Sequence, residues 1–285
     1  MAVKFGPSGN CNLFYEKGFK NSFEMPAWLE SLGLTAYEYQ CARGCKVKSE
    51  TAEKIGSEAK RHGISLSIHA PYYINLSSEG EGREKSIGYI MDTLRVASIM
   101  GADRIVVHSG GSAKLDRRVA MEIAKETLRQ ALSRSVAEGL SHVHICPEVM
   151  GKTNQLGTLD EIVEFCSLSE NFIPVIDFGH LNARTFGGIK CEEDYEKILD
   201  TLAAGLDKYR AENFHAHFSK IEYTTPGGEK KHLTFEDTVY GPDFMPLARV
   251  LAARGISPTI ICESDSVMTE DALKMRDMYE ECLKK

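Results

Sequence analysis

No stretch of this 285-residue chain is long and apolar enough to span a bilayer; its apolar runs fall far short of the ~18–20 residues required. The opening, Ala2-Val3-Lys4-Phe5-Gly6, lacks a long apolar region and reads as a first strand, not a signal peptide. No G-x-G-x-x-G follows a strand, which argues against a dinucleotide-binding fold. Basic residues are outnumbered, 34 Lys and Arg against 41 Asp and Glu, giving a net charge of −7. That balance argues against a nucleic-acid coat protein. It does not exclude a DNA enzyme, because two or three divalent cations in a groove reverse the local sign. Low-complexity linkers are missing too.

Cysteine is not scarce. Eight cysteines without a leader predict a reducing, cytoplasmic setting. Cys41 and Cys45, in C-x₃-C spacing, read as ordinary thiols, because a lone pair is a weak zinc or redox signal. The 42% hydrophobic content supplies a sizeable core. The length fits one (β/α)₈ barrel of roughly 250 residues, a single domain over residues 1–285.

Short apolar runs alternate with helical patterns throughout. Strands are expected at Val3–Phe5 and Tyr37–Tyr39, and in six runs that carry or lead into a histidine or an acid. Those six lead to His69, His108, Glu148, Asp177 with His180, His215 and Glu263. Helices are expected over Glu50–His62, Ile87–Met100, Arg117–Ala137, Leu159–Cys166, Glu192–Leu202, Phe244–Ala253 and Thr269–Leu283. Val119, Ile123, Leu128, Leu132 and Val136 form an apolar stripe on the third of these. Thr269 reads as the N-cap of the last helix. Gly33, Gly63, Gly101, Gly139 and Gly255 sit where helices hand over to strands, as C′ glycines do. Two polar stretches, Ser77–Lys85 and Glu222–Lys231, read as long loops on the catalytic rim.

Eight strands alternating with helices predict a closed (β/α)₈ (TIM) barrel, whose sites lie at the C-terminal rim of the strands. Any one histidine there is more often structural than a ligand. Four histidines with Glu148, Asp177 and Glu263 are harder to explain, because charges buried at one rim need neutralising. Imidazole and carboxylate donors suit zinc, with manganese also possible. His62, His142 and His144 lie away from the rim, and His217 is expected behind His215, supporting it.

The stretches His69-Ala70-Pro71-Tyr72-Tyr73-Ile74-Asn75-Leu76, Val107-His108-Ser109-Gly110, Pro147-Glu148, Asp177-Phe178-Gly179-His180, His215-Ala216-His217-Phe218-Ser219-Lys220 and Cys262-Glu263-Ser264 together resemble endonuclease IV, the apurinic/apyrimidinic endonuclease family 2, among the xylose-isomerase-like barrels. The resemblance covers nearly the whole chain. It implies a zinc cluster of two or three ions that cuts double-stranded DNA 5′ to an abasic site, in a cytoplasmic monomer. It also implies that His69 and His108 hold one metal and that Glu148 bridges to a second. Asp177, His215 and Glu263 then complete the second site, and His180 and His232 hold a third. Glu148 and Glu263 are the expected catalytic carboxylates. Tyr72 and Tyr73 stand where the family inserts side chains beside the lesion; two rim tyrosines covering the barrel is the plainer reading.

One departure stands out. The family's third site uses Asp-x-His, whereas Lys230-Lys231-His232 occupies that place here. A lysine cannot replace a carboxylate, so the third metal depends on whether Glu229 bulges into its place or sits in a solvated turn. The alternative function is a divalent-metal sugar isomerase or epimerase of the same superfamily, which needs Glu148, Asp177, His215 and Glu263 but not the surplus histidines. A degenerate, non-catalytic barrel has little support.

Overall fold

The apolar runs pair in parallel, each strand lying beside its successor in the sequence. A computed structural model describes residues 2–112 and 115–284. The strands are β1 (Lys4–Pro7), β2 (Ala36–Gln40), β3 (Ser65–His69), β4 (Arg104–His108), β5 (His144–Glu148), β6 (Val175–Asp177), β7 (His215–Phe218), β8 (Lys220–Thr224), β9 (Gly228–Leu233) and β10 (Thr259–Cys262). Eight of them make the barrel in the order β1-β10-β7-β6-β5-β4-β3-β2, while β8 and β9 form a separate antiparallel hairpin. The expected (β/α)₈ barrel is present.

The seam between β1 and β2 closes through a parallel bridge pairing Ser8 with Glu38. Gly9 N donates to Glu38 O at 2.8 Å and Thr35 N to Phe5 O at 3.0 Å. Gly6 permits this approach: a Cβ there would lie 1.8 Å from Ala36 O. Only glycine fits so close to a neighbouring backbone.

Helices cover the outside of the barrel at Ser49–Arg61, Gly80–Met100, Arg117–Ala137, Leu159–Cys166, Glu192–Gly205, Phe244–Arg254 and Met268–Leu283. Thr158 closes a capping box on the fourth, so its start is fixed by local chemistry. All five helix-end glycines have positive φ, as C′ positions require. Among the described residues no helix is long and apolar enough to cross a membrane.

Several expectations are corrected. Residues 80–85 of the first polar stretch belong to the long Gly80–Met100 helix, and the second stretch lies mostly within the β8–β9 hairpin. Val119 and Val136 are exposed. Leu128 of the expected stripe is buried, and with it the helix buries Ala120, Met121, Ala124 and Ala131, three of them alanines that let it pack closely on its neighbours. Thr269 lies inside the last helix, which Val267 caps, and it accepts a hydrogen bond from the buried Cys11 thiol. Cys41 and Cys45 are not separate thiols but a disulfide. Gly44, at φ +119°, turns the intervening loop so that their Cα atoms are 4.8 Å apart, within disulfide reach.

Candidate metal centre

Side chains alternate along each strand, so every second residue enters the barrel. The outward residues, such as Ile68, Ile105, Val107, Ile145 and Ile260, join the core beneath the helices. A small apolar cluster of Val106, Cys146, Ile173 and Val175 packs separately, low in the barrel. Two residues further along their strands, Val106 gives way to His108, Cys146 to Glu148 and Val175 to Asp177.

Register then sets which side chains meet. His108 pairs with Glu148, Glu148 with Val175, and Asp177 with His217. His215 pairs with Val175, two residues before the Asp177–His217 pair and so deeper in the barrel. The expectation that His215 joins Asp177 and Glu263 is therefore corrected. His217 joins them, with Nδ1 2.8 Å from Glu148 Oε1 and 3.6 Å from Glu263 Oε2. His215 instead faces Glu38 on β2, Nε2 to Oε2 at 3.0 Å. Glu38 was overlooked in the sequence. Its signal was the alternation in Tyr37-Glu38-Tyr39, which sends a carboxylate inward when the tyrosines face out.

Glu148 lies at the centre of the rim. Its Oε2 is 3.1 Å from His108 Nε2 and 3.5 Å from His69 Nε2, while its Oε1 faces His217 and lies 3.7 Å from His180 Nδ1. Ser8 donates to Glu263 Oε1 at 3.1 Å and so orients that side chain from β1's end of the rim. Asp177 also shapes the chain locally. It caps the short Phe178–Arg184 helix by accepting from His180 N at 2.7 Å, which delivers His180 to the rim.

Three ring nitrogens have hydrogen-bond partners that fix the direction of each imidazole. His69 Nδ1 faces Ala70 O at 2.8 Å, His180 Nδ1 faces Val149 O at 3.0 Å and Asp177 Oδ2 at 3.1 Å, and His232 Nδ1 faces Ser219 Oγ at 2.9 Å. Such outer contacts are what align histidine ligands.

His232 and Glu229 come from the hairpin. There Ile221 pairs with His232 and Glu222 with Lys231, but Tyr223 pairs with Glu229, so Lys230 is the extra residue of a β-bulge. A bulge of one residue shifts the alternation by one. Glu229 and His232, three apart, therefore share a face. Glu229 Oε2 reaches 3.5 Å from His180 Nε2, while Lys230 turns to Glu222 Oε1 at 2.5 Å. The loop is thus not a solvated turn, and no lysine occupies the missing carboxylate's place. Gly151 makes room for the hairpin, because a Cβ there would lie 2.6 Å from Glu229 Cβ and 2.9 Å from His180 Cδ2.

Five groups among the described residues bring potential metal-ligating atoms within 4.8 Å of one another: His69, His108 and Glu148; His69, His217 and Glu263; Glu148, Asp177, His217 and Glu263; His180, Glu229 and His232; and, deeper in the barrel, Glu38, His215 and His217. The donor set fits divalent metal. Glu148 Oε2 and Asp177 Oδ2 are buried yet accept no well-formed hydrogen bond. Buried carboxylates need cations, and without metal the histidines supply them. Burial opposes protonation of His69, but the Glu148 carboxylate wins and pushes it up to about 9. Burial also opposes protonation of His180, but Asp177 and Glu229 push it up to about 9. Burial alone would raise Glu148, yet His217 and His108 hold it well below the usual carboxylate range. Asp177 is raised, chiefly by burial.

A cavity of about 350 Å³ opens over these groups, lined in part by His69, Tyr72, His108, Lys152, Glu229 and Glu263. Tyr72 stands half exposed at its edge, with the half-exposed Tyr73 ring 4.4 Å from it between centroids, and Arg43 of the disulfide loop is near the Tyr72 hydroxyl.

A family model for xylose isomerase-like TIM barrels matches residues 26–281. An uncharacterized protein of Methanocaldococcus jannaschii is 32% identical over 265 residues, covering 92% of this chain and 93% of its own length. Endonuclease 4 of Thermus thermophilus is 30% identical over 186 residues, covering 62% of this chain and 65% of that protein. A crystal structure of endonuclease IV, also from Thermus thermophilus, has a TM-score of 0.72 at 20% identity, covering 100% of this chain and 99% of that one. A D-tagatose 3-epimerase-like protein has a TM-score of 0.66 at 21% identity, covering 88% and 89%. At those identities the two solved structures demonstrate a shared fold alone.

Proposed function

The chain belongs to the xylose isomerase-like TIM barrel family, and on that premise we propose that it is a metal-dependent phosphodiesterase cutting duplex DNA 5′ to an abasic site. The observation that carries this reading is the position of Glu148, whose two oxygens face different histidines. A carboxylate so placed suits a bridge between two ions. His69 and His108 would complete the first site, Asp177, His217 and Glu263 the second, and His180, Glu229 and His232 the third. Imidazole and carboxylate donors favour zinc. Divalent ions held by these residues would supply an activated water and neutralise charge on a phosphodiester.

The chain's own residues prepare the site for that chemistry. Glu148 and Glu263 hold negative charge at its centre, and Ser8 fixes the Glu263 carboxylate. Tyr72 and Tyr73 offer an exposed aromatic pair at the cavity's edge, suited to stacking where a base is missing. Lys152 and Lys231, on the two sides of the rim, are placed to meet backbone phosphates. No lysine is required as a nucleophile.

The second reading is a sugar epimerase, favoured by the likeness to the D-tagatose 3-epimerase-like fold. It uses one ion and two proton-shuttling glutamates. It leaves His69, His108, His180, Glu229 and His232 without a task. Incubating the metal-loaded protein with an abasic duplex and, separately, with fructose or tagatose discriminates the two. Nicking 5′ to the lesion, abolished by chelator and not trapped on DNA by borohydride, is expected, because hydrolysis forms no Schiff base. Epimer formation without nicking would overturn the reading.

A further inference from the structure

Below the rim, the metal-centre groups rest on Glu38, which forms a deeper, fully buried group with His215 and His217. Glu38 is fully buried, and its oxygens are surrounded by donors. Ser67 Oγ donates to Oε2 at 2.8 Å, Gln40 Nε2 to Oε1 at 3.2 Å, and His215 Nε2 meets Oε2 at 3.0 Å. His217 Nε2 lies 3.0 Å from Oε1, at ion-pair distance although off the line of its N–H. So many donors make Glu38 a poor metal ligand and a fixed anion. His69 commits Nδ1 to the Ala70 carbonyl and turns Nε2 to the Glu148 carboxylate. His217 is reversed. Its Nδ1 points to Glu148 and Glu263, and its other nitrogen meets a charged group.

We propose that Glu38 is a positioning residue for the metal centre, holding His217 as the Nε2–H tautomer so that Nδ1 is its ligating nitrogen. His215 and Ser67 serve the same end one contact further out, by fixing the Glu38 carboxylate. A buried carboxylate behind a histidine ligand both orients the ring and raises its basicity, effects worth about 10–100-fold in metal affinity. The proposal rests on the metal-centre reading above and adds to it a residue from a different strand, β2, which contributes no ligand.

The test combines metal affinity with spectroscopy. In Glu38→Gln, chelator competition is expected to show one ion bound about 10–100-fold more weakly, with the others unchanged. Glu38→Asp should recover part of the loss, and the visible bands of the cobalt-substituted protein should shift in Glu38→Gln. Should Glu38→Gln fail to fold, nitrogen NMR of the native zinc-loaded protein still decides: His217 is expected to carry its proton on Nε2 and zinc on Nδ1. Zinc on Nε2 overturns the proposal. So does full metal affinity in Glu38→Gln, which leaves the metal-centre reading standing. A native chain that binds no metal overturns both.

Discussion

The Glu229 carboxylate on the hairpin lies 3.5 Å from His180 Nε2 on the barrel, with His232 in the same group. The bulge at Lys230 makes this contact, converting a spacing of three residues into a shared face. Glu229→Ala is therefore expected to lower bound metal by one ion per chain. Lys230→Asp should leave the metal content unchanged, because Lys230 faces Glu222 and not the group. A rise in metal content for Lys230→Asp would return the site to the Asp-x-His arrangement and contradict the bulge account.

Glu148 faces two ligand groups, whereas His108 faces one. Glu148→Ala should disturb two ions, and His108→Ala a single one. Removing a carboxylate from among buried histidines also leaves His69 without its main reason to hold a proton. Elemental analysis of both variants checks this. Equal losses in the two variants would contradict a bridging Glu148.

Metal uptake should release protons. His69 and His180 are both pushed up to about 9 in the metal-free chain, above the ordinary histidine value, so at pH 7 each holds a proton that an incoming ion displaces. Apparent affinity then rises with pH towards about 9. The sign for stability is opposite. These raised groups stabilise the metal-free fold fully below the ordinary histidine pKa of about 6.5, and that contribution fades as pH rises through about 9. Calorimetric titration in buffers of different ionisation enthalpy measures the released protons. Uptake without proton release at pH 7 would count against the charge balance described here.

Gly151→Ala tests the seating of the hairpin. The new methyl would sit 2.6 Å from Glu229 Cβ, so the hairpin must move outward. Overpacking of this kind costs about 1–3 kcal/mol. Loss of the third ion should accompany it, with the other two retained. A variant with native stability and metal content would show that the hairpin is not held where the structure puts it.

Much of this was legible in the sequence. Strands ending in His69, His108, Glu148 and Asp177 announced the barrel and its rim, because strand alternation and βα order are local signals. Side-chain level was not. His215 and His217 both point inward, and only the register Asp177 to His217 shows which one reaches the rim. Glu38 was hidden by its tyrosine neighbours, and its role depends on β7 lying across the barrel. The hairpin was missed because its polar strands carry no apolar run; they are held by pairing and by docking on Gly151. The Cys41–Cys45 disulfide depended on a glycine turn that spacing alone does not reveal.

The most direct test of the account is the number of metal ions that the native chain holds. Protein purified without chelators and analysed for transition metals is predicted to carry three per chain, one for each of the three sites proposed at the rim. A single ion, or none, would contradict a multinuclear centre and favour the epimerase reading or a site without metal.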